Sequence, residues 1–364
     1  MFEEPLSVAD VARLAEALLP KELWDYVDGG SGAETTLAAN RSAFDAVALL
    51  PRVLSGVDSA DTATKLVSSD AALPLAVAPM AYQRLLHPYG ELATAEAAQM
   101  AGVPYIVSTL SSVSLEEVAK TGADLWFQLY WMRERAVVES LVERAEEAGC
   151  AALVVTVDVP VMGRRLRDAR NSFVLPDDVV AANLADGAVS RAHDRVAGES
   201  SIAAHTAVAF ASGLGWADLA WLRGRTALPL VLKGILDPRD AVTAVESGVD
   251  AVVVSNHGGR QLDGAAPSIT VLPAIAEAVA GRAAVLLDSG IRTGTDILRA
   301  LACGADGVLV GRPVLYGLAV DGARGAGQVL SLLAEEFRAA MTLAGCADVS
   351  AARSLSTVRT ARTR

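Results

Sequence analysis

The chain has 364 residues, 52% of them hydrophobic and 5% aromatic, which suits one large α/β core or two ordinary domains. Lys plus Arg number 31 against 43 Asp plus Glu, a formal charge of −12 that speaks against nucleic-acid backbones and anionic lipid surfaces as partners. No run reaches the roughly 20 apolar residues of a membrane span, and the opening MFEEPLSVAD lacks the basic and apolar regions of a secretory signal. Cys150, Cys303 and Cys346 form no CxxC and read as buried thiols, so a cytoplasmic protein is expected.

In chain order, residues 1–73 read as an N-terminal helical extension. SVADVARLAEALLP opens with a serine cap ahead of an apolar stripe, and KELWDYVDGG makes a second helix. The GGSG at Gly29 follows that helix rather than a strand, so it is not a dinucleotide fingerprint. Over residues 74–320 one pattern recurs: a short apolar strand, a polar turn and an amphipathic helix. The strands are PLAVAPM, PYIVST, LWFQLYW, ALVVTVD, PLVLKG, DAVVVSN, AAVLLDSG and DGVLVGR. Helical stretches such as SLEEVAKTG, RAVVESLVERAEEAG, DPRDAVTAVESG and GTDILRALACG alternate with them, several closing on Gly. Strands β-branched on both faces belong to a parallel sheet covered by helices. Eight such units predict a (β/α)8 TIM barrel rather than a doubly wound sheet.

The repeat is interrupted once. After TVDVP no convincing helix appears over residues 161–215, until WADLAWLRG. So long a loop after the fourth strand is expected to be a lid on the C-terminal face. Its Asp168, Asp177, Asp178, Asp186, Asp194 and Glu199 make it a poor membrane anchor. Residues 321–364 read as a C-terminal helical segment, and the whole chain as a single domain.

A barrel brings the polar residues at its strand ends into one pocket. Here these are Met80 and Ala81, Ser108 and Thr109, Gln128 and Tyr130, Thr156 and Asp158, Lys233, then Ser255, His257 and Arg260. The last two strands end in Asp288, Ser289, Gly290 and Arg292, and in Gly311 and Arg312. Glycines for close approach and arginines for charge, after strands 7 and 8, point to a phosphorylated ligand. Lys233 could form a Schiff base or stabilise a developing anion. In SNHGGRQLDG a histidine and an arginine share a glycine-loosened turn, which fits a general base beside an anion-binding guanidinium. No HExxH, paired cysteines or carboxylate cluster suggests a metal.

SNHGGRQLDG resembles the active-site signature of the FMN-dependent α-hydroxy-acid oxidases and dehydrogenases. The likeness runs from LPKELWDYVDGG through ELATAEAA, WFQLYW, TVDVPVMGRRLRDARN and VLKGI to VGRPVLYGLA. Within that family APMAYQRLLHPYGE, TLSSVSLEEVA and DVPVMGRRLRD are most similar to the 4-hydroxymandelate oxidases of actinobacterial peptide-antibiotic pathways.

The resemblance implies roles residue by residue. FMN would be bound with Lys233 near its N1 edge, Ser108, Gln128 and Thr156 on the ring edges, and Pro79, Met80 and Ala81 facing N5. Ser255 would help to hold the ribityl chain; Asp288, Ser289, Gly290, Arg292, Gly311 and Arg312 would hold ribityl and phosphate. DSG stands where the family has DGG, a change expected to be harmless only if Ser289 needs no positive φ. His257 would be the base, oriented by Asp158. Arg165 and Arg260 would clamp a substrate carboxylate, with Tyr26 and Tyr130 donating hydrogen bonds. Leu110 replaces a tryptophan of the glycolate oxidases and is expected to make room for an aromatic substrate.

The reaction implied is oxidation of an (S)-2-hydroxy acid, 4-hydroxymandelate or mandelate, to the 2-oxo acid, with O2 reduced to hydrogen peroxide. A lactate or glycolate oxidase, a mandelate dehydrogenase with another acceptor, and an FMN-dependent isomerase are the alternatives. The family also implies a homotetramer.

Overall fold

The structure is a computed structural model that describes residues 5–184 and 210–360. Eight parallel strands form a closed barrel: β1 Leu75–Val77, β2 Tyr105–Ser108, β3 Leu125–Tyr130, β4 Ala152–Thr156, β5 Leu230–Ile235, β6 Ala251–Val254, β7 Ala284–Leu287 and β8 Gly307–Val310. Each pairs with its sequence neighbours, and β8 closes the ring onto β1 through Val308, Leu309 and Val310 against Leu75, Ala76 and Val77. The predicted TIM barrel is therefore what the chain forms, strand for strand.

Three helices precede the barrel: α1 Val8–Leu18, α2 Lys21–Asp28 and α3 Thr35–Asp45. Ser7 caps α1 by accepting from the Asp10 amide, as its sequence predicts. The helices that follow β1 to β3 are α4 Gly90–Ala101, α5 Leu115–Ala119 and α6 Arg135–Glu147. After β4 come α7 Leu166–Asn171 and α8 Trp216–Arg223, and after β5 and β6 come α9 Pro238–Glu246 and α10 Ser268–Val279. β7 leads to α11 Gly294–Ala302 and β8 to α12 Arg312–Ala344, before a last short helix α13 Val349–Arg353. α12 is kinked at Asp321 and Gly322, where the backbone leaves helical geometry.

Three features differ from the sequence reading. The segment before the barrel is not wholly helical, because Thr64–Leu66 and Ser69–Ala71 form an antiparallel hairpin. Its Leu66 and Ala71 enter the barrel-interior cluster with Ile106, Trp126, Val231 and Leu309; the Trp126 indole donates to the Ser69 hydroxyl. The C-terminal segment is not wholly helical either: Thr357–Arg359 pairs antiparallel with Val47–Leu49. The stretch at 161–215 contains α7, which the sequence reading passed over; residues 185–209, with Asp186, Asp194 and Glu199, lie outside the described residues. Cys150, Cys303 and Cys346 are free and buried. No helix among the described residues is long and apolar enough to cross a membrane.

Candidate active site

Side chains alternate in and out along a strand, so every second residue of each barrel strand points to the axis. At the lower levels the inward residues are apolar: Ile106, Trp126, Val154, Val231, Val253, Leu286 and Leu309. Two residues further along the same faces stand Ser108, Gln128, Thr156, Lys233, Ser255, Asp288 and Gly311. The barrel axis thus passes from a packed apolar plug to a polar floor within one step of the pleat. All of these polar side chains are buried, and buried polar groups demand partners.

The floor supplies some of them. Gln128 accepts from the Ser108 hydroxyl at 3.2 Å and donates to the Thr156 hydroxyl at 3.0 Å. Lys233 Nζ lies 3.0 Å from Asp288 Oδ2 and donates to Ser255 Oγ at 3.1 Å. Burial opposes the Lys233 charge, but Asp288 and Asp158 outweigh it and hold the ammonium above its ordinary value. Lys233 is therefore a cation at neutral pH, suited to meeting negative charge and not to forming a Schiff base.

Above this floor lies an open cleft lined by residues from every barrel strand end. Its walls contain every candidate residue singled out from the sequence except Thr109, Gln128, Asp158 and Ser255; of these, Gln128, Asp158 and Ser255 bond to lining residues. α2 brings Tyr26 and Val27 over the barrel mouth to line the same cleft.

The His257 turn needs its glycines. His257, Gly258 and Gly259 have φ of 58°, 67° and 73°, three consecutive residues in the left-handed region that glycine tolerates and other residues resist. A Cβ at Gly259 would lie 2.7 Å from the Leu37 amide nitrogen of α3, so this position also requires close approach. Asn256 closes the turn by accepting from the Gly259 amide at 3.0 Å, and it exchanges two hydrogen bonds with Asn40. His257 Nδ1 sits 3.0 Å from Asp158 Oδ1. A proton on Nδ1 shared with the carboxylate leaves Nε2 as the free acceptor. Burial works against the Asp158 charge, yet His257 and then Lys233 hold the carboxyl below its usual range.

Four arginines, Arg165, Arg260, Arg292 and Arg312, line the cleft with Lys233, against Asp288 as the lining carboxylate. Arg260 donates through Nη1 to the Tyr26 and Gly29 carbonyls, both at 2.8 Å. Burial, with Arg165 and Arg312 nearby, pushes its pKa down to about 9. Burial likewise lowers Arg312, which is pinned by the carbonyls of Val27, Gly258 and Gly29. Arg165 is half-buried, and its Nη1 pairs with Asp168 Oδ2 at 3.5 Å. Arg165 and Arg260 flank the Tyr26 ring at 5.7 and 5.4 Å. Its neighbour Arg167 instead turns to Asp25, Asp28 and Glu34.

Such crowding of buried cations is costly unless anions enter. Two anion positions are built. One lies where Gly290, Arg292, Gly311 and Arg312 meet the N-terminus of α12, geometry suited to a phosphate. The other lies between Arg165, Arg260, Tyr26 and Tyr130, near His257, and suits a carboxylate. Burial pushes Tyr130 up to about 12 and raises Tyr26, so both phenols remain hydrogen-bond donors at neutral pH. The residues present thus fit a phosphate-bearing cofactor such as FMN beside an organic acid.

Ser289 corrects one expectation: it stands at φ 75°, the left-handed position that was expected to be incompatible with a harmless serine. The sequence reading also passed over Met162, Phe210 and Phe173. Met162 and Phe210 line the cleft with Leu110; Phe210 stacks on Tyr130 at 4.6 Å, and Phe173 backs Tyr26 at 4.8 Å. They lie outside regular strands, where no hydrophobic period marks them.

Comparison with known proteins agrees with this geometry. Residues 15–359 match the FMN-dependent dehydrogenase family. The chain is 54% identical to a 4-hydroxymandelate oxidase of Amycolatopsis orientalis, over 97% of this chain and 98% of that one. It is 49% identical to an L-lactate oxidase of Nostoc sp., over 96% of each. A crystal structure of mandelate oxidase with (S)-4-hydroxymandelic acid superposes with a TM-score of 0.95 at 54% identity, covering 98% of this chain and 99% of that one.

Proposed function

The chain belongs to the FMN-dependent dehydrogenase family, and from that premise we propose that it oxidises an aryl (S)-2-hydroxy acid, mandelate or 4-hydroxymandelate. The product is the aryl glyoxylate, and O2 takes up the electrons and leaves as hydrogen peroxide. The observation that carries the reading is the His257–Asp158 pair, 3.0 Å apart, set beside two guanidiniums and two phenols in one cleft. When bound, FMN accepts the two electrons that the hydroxy acid gives up.

The protein's own groups do the rest. Arg165 and Arg260, both lining the cleft, grip the substrate carboxylate. Tyr26 and Tyr130 donate to the carboxylate or the hydroxyl and fix the face presented. His257 Nε2 takes one of the two protons released, and Asp158 stabilises the imidazolium. Lys233 would set its positive charge near the N1 edge of the cofactor, where it would stabilise the added negative charge. Gln128, Thr156 and Ser108 would bond the ring edges of FMN; Ser255, Asp288, Ser289 and Gly290 would meet its ribityl chain, and Arg292, Gly311 and Arg312 its phosphate. Pro79, Met80 and Ala81, which line the cleft, would face its reactive edge. Leu110, Met162 and Phe210 give the apolar surface that an aryl group needs.

Oxygen uptake tests the choice of acceptor. Mandelate should drive O2 consumption with one peroxide formed per glyoxylate. Flavin that is reduced by mandelate but recovers slowly in air, and quickly with a quinone, would make the chain a dehydrogenase.

A further inference from the structure

We infer that Ser289 is a positioning residue whose hydroxyl couples the Lys233–Asp288 ion pair to the His257 turn; this rests on the reading of His257 as proton acceptor. The Ser289 hydroxyl donates to Asp288 Oδ1 at 2.7 Å and accepts from the Gly258 amide at 2.9 Å. Asp288 Oδ2 meets Lys233 Nζ at 3.0 Å, Lys233 donates to Ser255 Oγ, and Ser255 Oγ accepts from the His257 amide at 3.0 Å. The chain of contacts closes on itself. Two hydroxyls, one from β6 and one from the β7 loop, hold the amides of two consecutive left-handed residues, and both are anchored on Lys233.

The backbone makes this arrangement diagnostic. At φ 75° a serine is strained where glycine would not be. Glycine is therefore the better residue for the turn alone, and what serine adds is the hydroxyl. That hydroxyl fixes the Gly258 amide and with it the direction in which the His257 side chain leaves the backbone, on which its approach to Asp158 depends. Strain retained next to reacting groups is a recurrent feature of functional sites.

The test compares Ser289→Gly and Ser289→Ala with the wild type as FMN-loaded proteins. The Gly variant should melt at the same temperature or higher, yet its limiting rate of flavin reduction by (S)-mandelate should fall roughly 3- to 10-fold, the worth of one or two hydrogen bonds. Its KM should stay within about twofold, because the lost bonds do not touch the carboxylate clamp. The Ala variant should lose as much rate and melt lower. Amide hydrogen exchange at Gly258, which does not depend on turnover, should accelerate in both variants. A Gly variant that reduces its flavin at the wild-type rate overturns the proposal, as does unchanged Gly258 exchange. So does a variant that only binds FMN more weakly and recovers full rate at saturation, since Ser289 would then merely hold the cofactor. If the wild type is not reduced by any 2-hydroxy acid, the functional reading fails, while the exchange measurement still decides the coupling.

Discussion

Single residues in this site are defined by charges that burial opposes and neighbours restore. Asp158 is the clearest: burial opposes its charge, and His257 and then Lys233 hold the carboxyl below its usual range. Replacing it by Asn keeps the shape but presents the imidazole with an amide. Stopped-flow reduction of Asp158→Asn should be slower by about 10²–10⁴-fold, with FMN still bound. Leu110 tests the substrate-facing wall. Leu110→Trp fills space next to Met162 and Phe210 and should lower the activity ratio of mandelate to glycolate; an unchanged ratio would remove Leu110 from the specificity argument. Much of this site was legible in the sequence because polar types at strand ends are unusual in so apolar a chain. Arg165 was not separable from Arg164 and Arg167 by chemistry; resemblance alone selected it, and the structure shows why it differs. Arg167 has three carboxylates around it, whereas Arg165 lines the cleft.

The elements hold these residues through ties that short motifs hardly announce. Asn183 receives the Leu115 amide and donates to the Ser108 carbonyl, so one side chain fastens the floor of the cleft to α5. Arg144 of α6 supports it, donating to the Asn183 carbonyl and gripping Glu116 of α5 in a bidentate pair. That pair lowers Glu116 to about 2. A carboxylate held below its unfolded value stabilises the fold above that value and loses its contribution as pH falls through the folded one. Between wild type and Glu116→Gln the melting-temperature gap should therefore be full at pH 7 and close between about pH 5 and pH 2. The gap should be small, since the pair is half in solvent. A gap that is constant with pH would mean that the charge of Glu116 contributes nothing. The strands were legible because each is a short apolar run bounded by polar turns. The hairpin Thr64–Leu66 with Ser69–Ala71 was not: three-residue strands of mixed polarity have no readable period, and its role as a plug depends on a barrel that only tertiary structure creates. α7 was hidden for a similar reason, its RRLRDARN setting being polar on most faces.

At the scale of the molecule, closure of the barrel does the chemical work of assembly. Eight strands that are distant in sequence bring Lys233, Asp288, His257 and Arg312 into one cleft, and α2 adds Tyr26 from the far end of the chain. The pairing of Val47–Leu49 with Thr357–Arg359 joins the two flanking segments outside the barrel, so the extension that carries Tyr26 is tied at its base as well as packed on the barrel mouth. The result is a deep cationic site with positions for two anions, a phosphate and a carboxylate, and one imidazole poised between solvent and floor. The central claim is that this constellation removes two electrons and two protons from an (S)-2-hydroxy acid. Anaerobic titration of the FMN-loaded protein with each enantiomer of 4-hydroxymandelate tests it most directly. The yellow flavin absorbance should bleach stoichiometrically with the S enantiomer and stay unchanged with the R enantiomer; flavin that remains oxidised with both would mean that the cleft does not oxidise this class of acid.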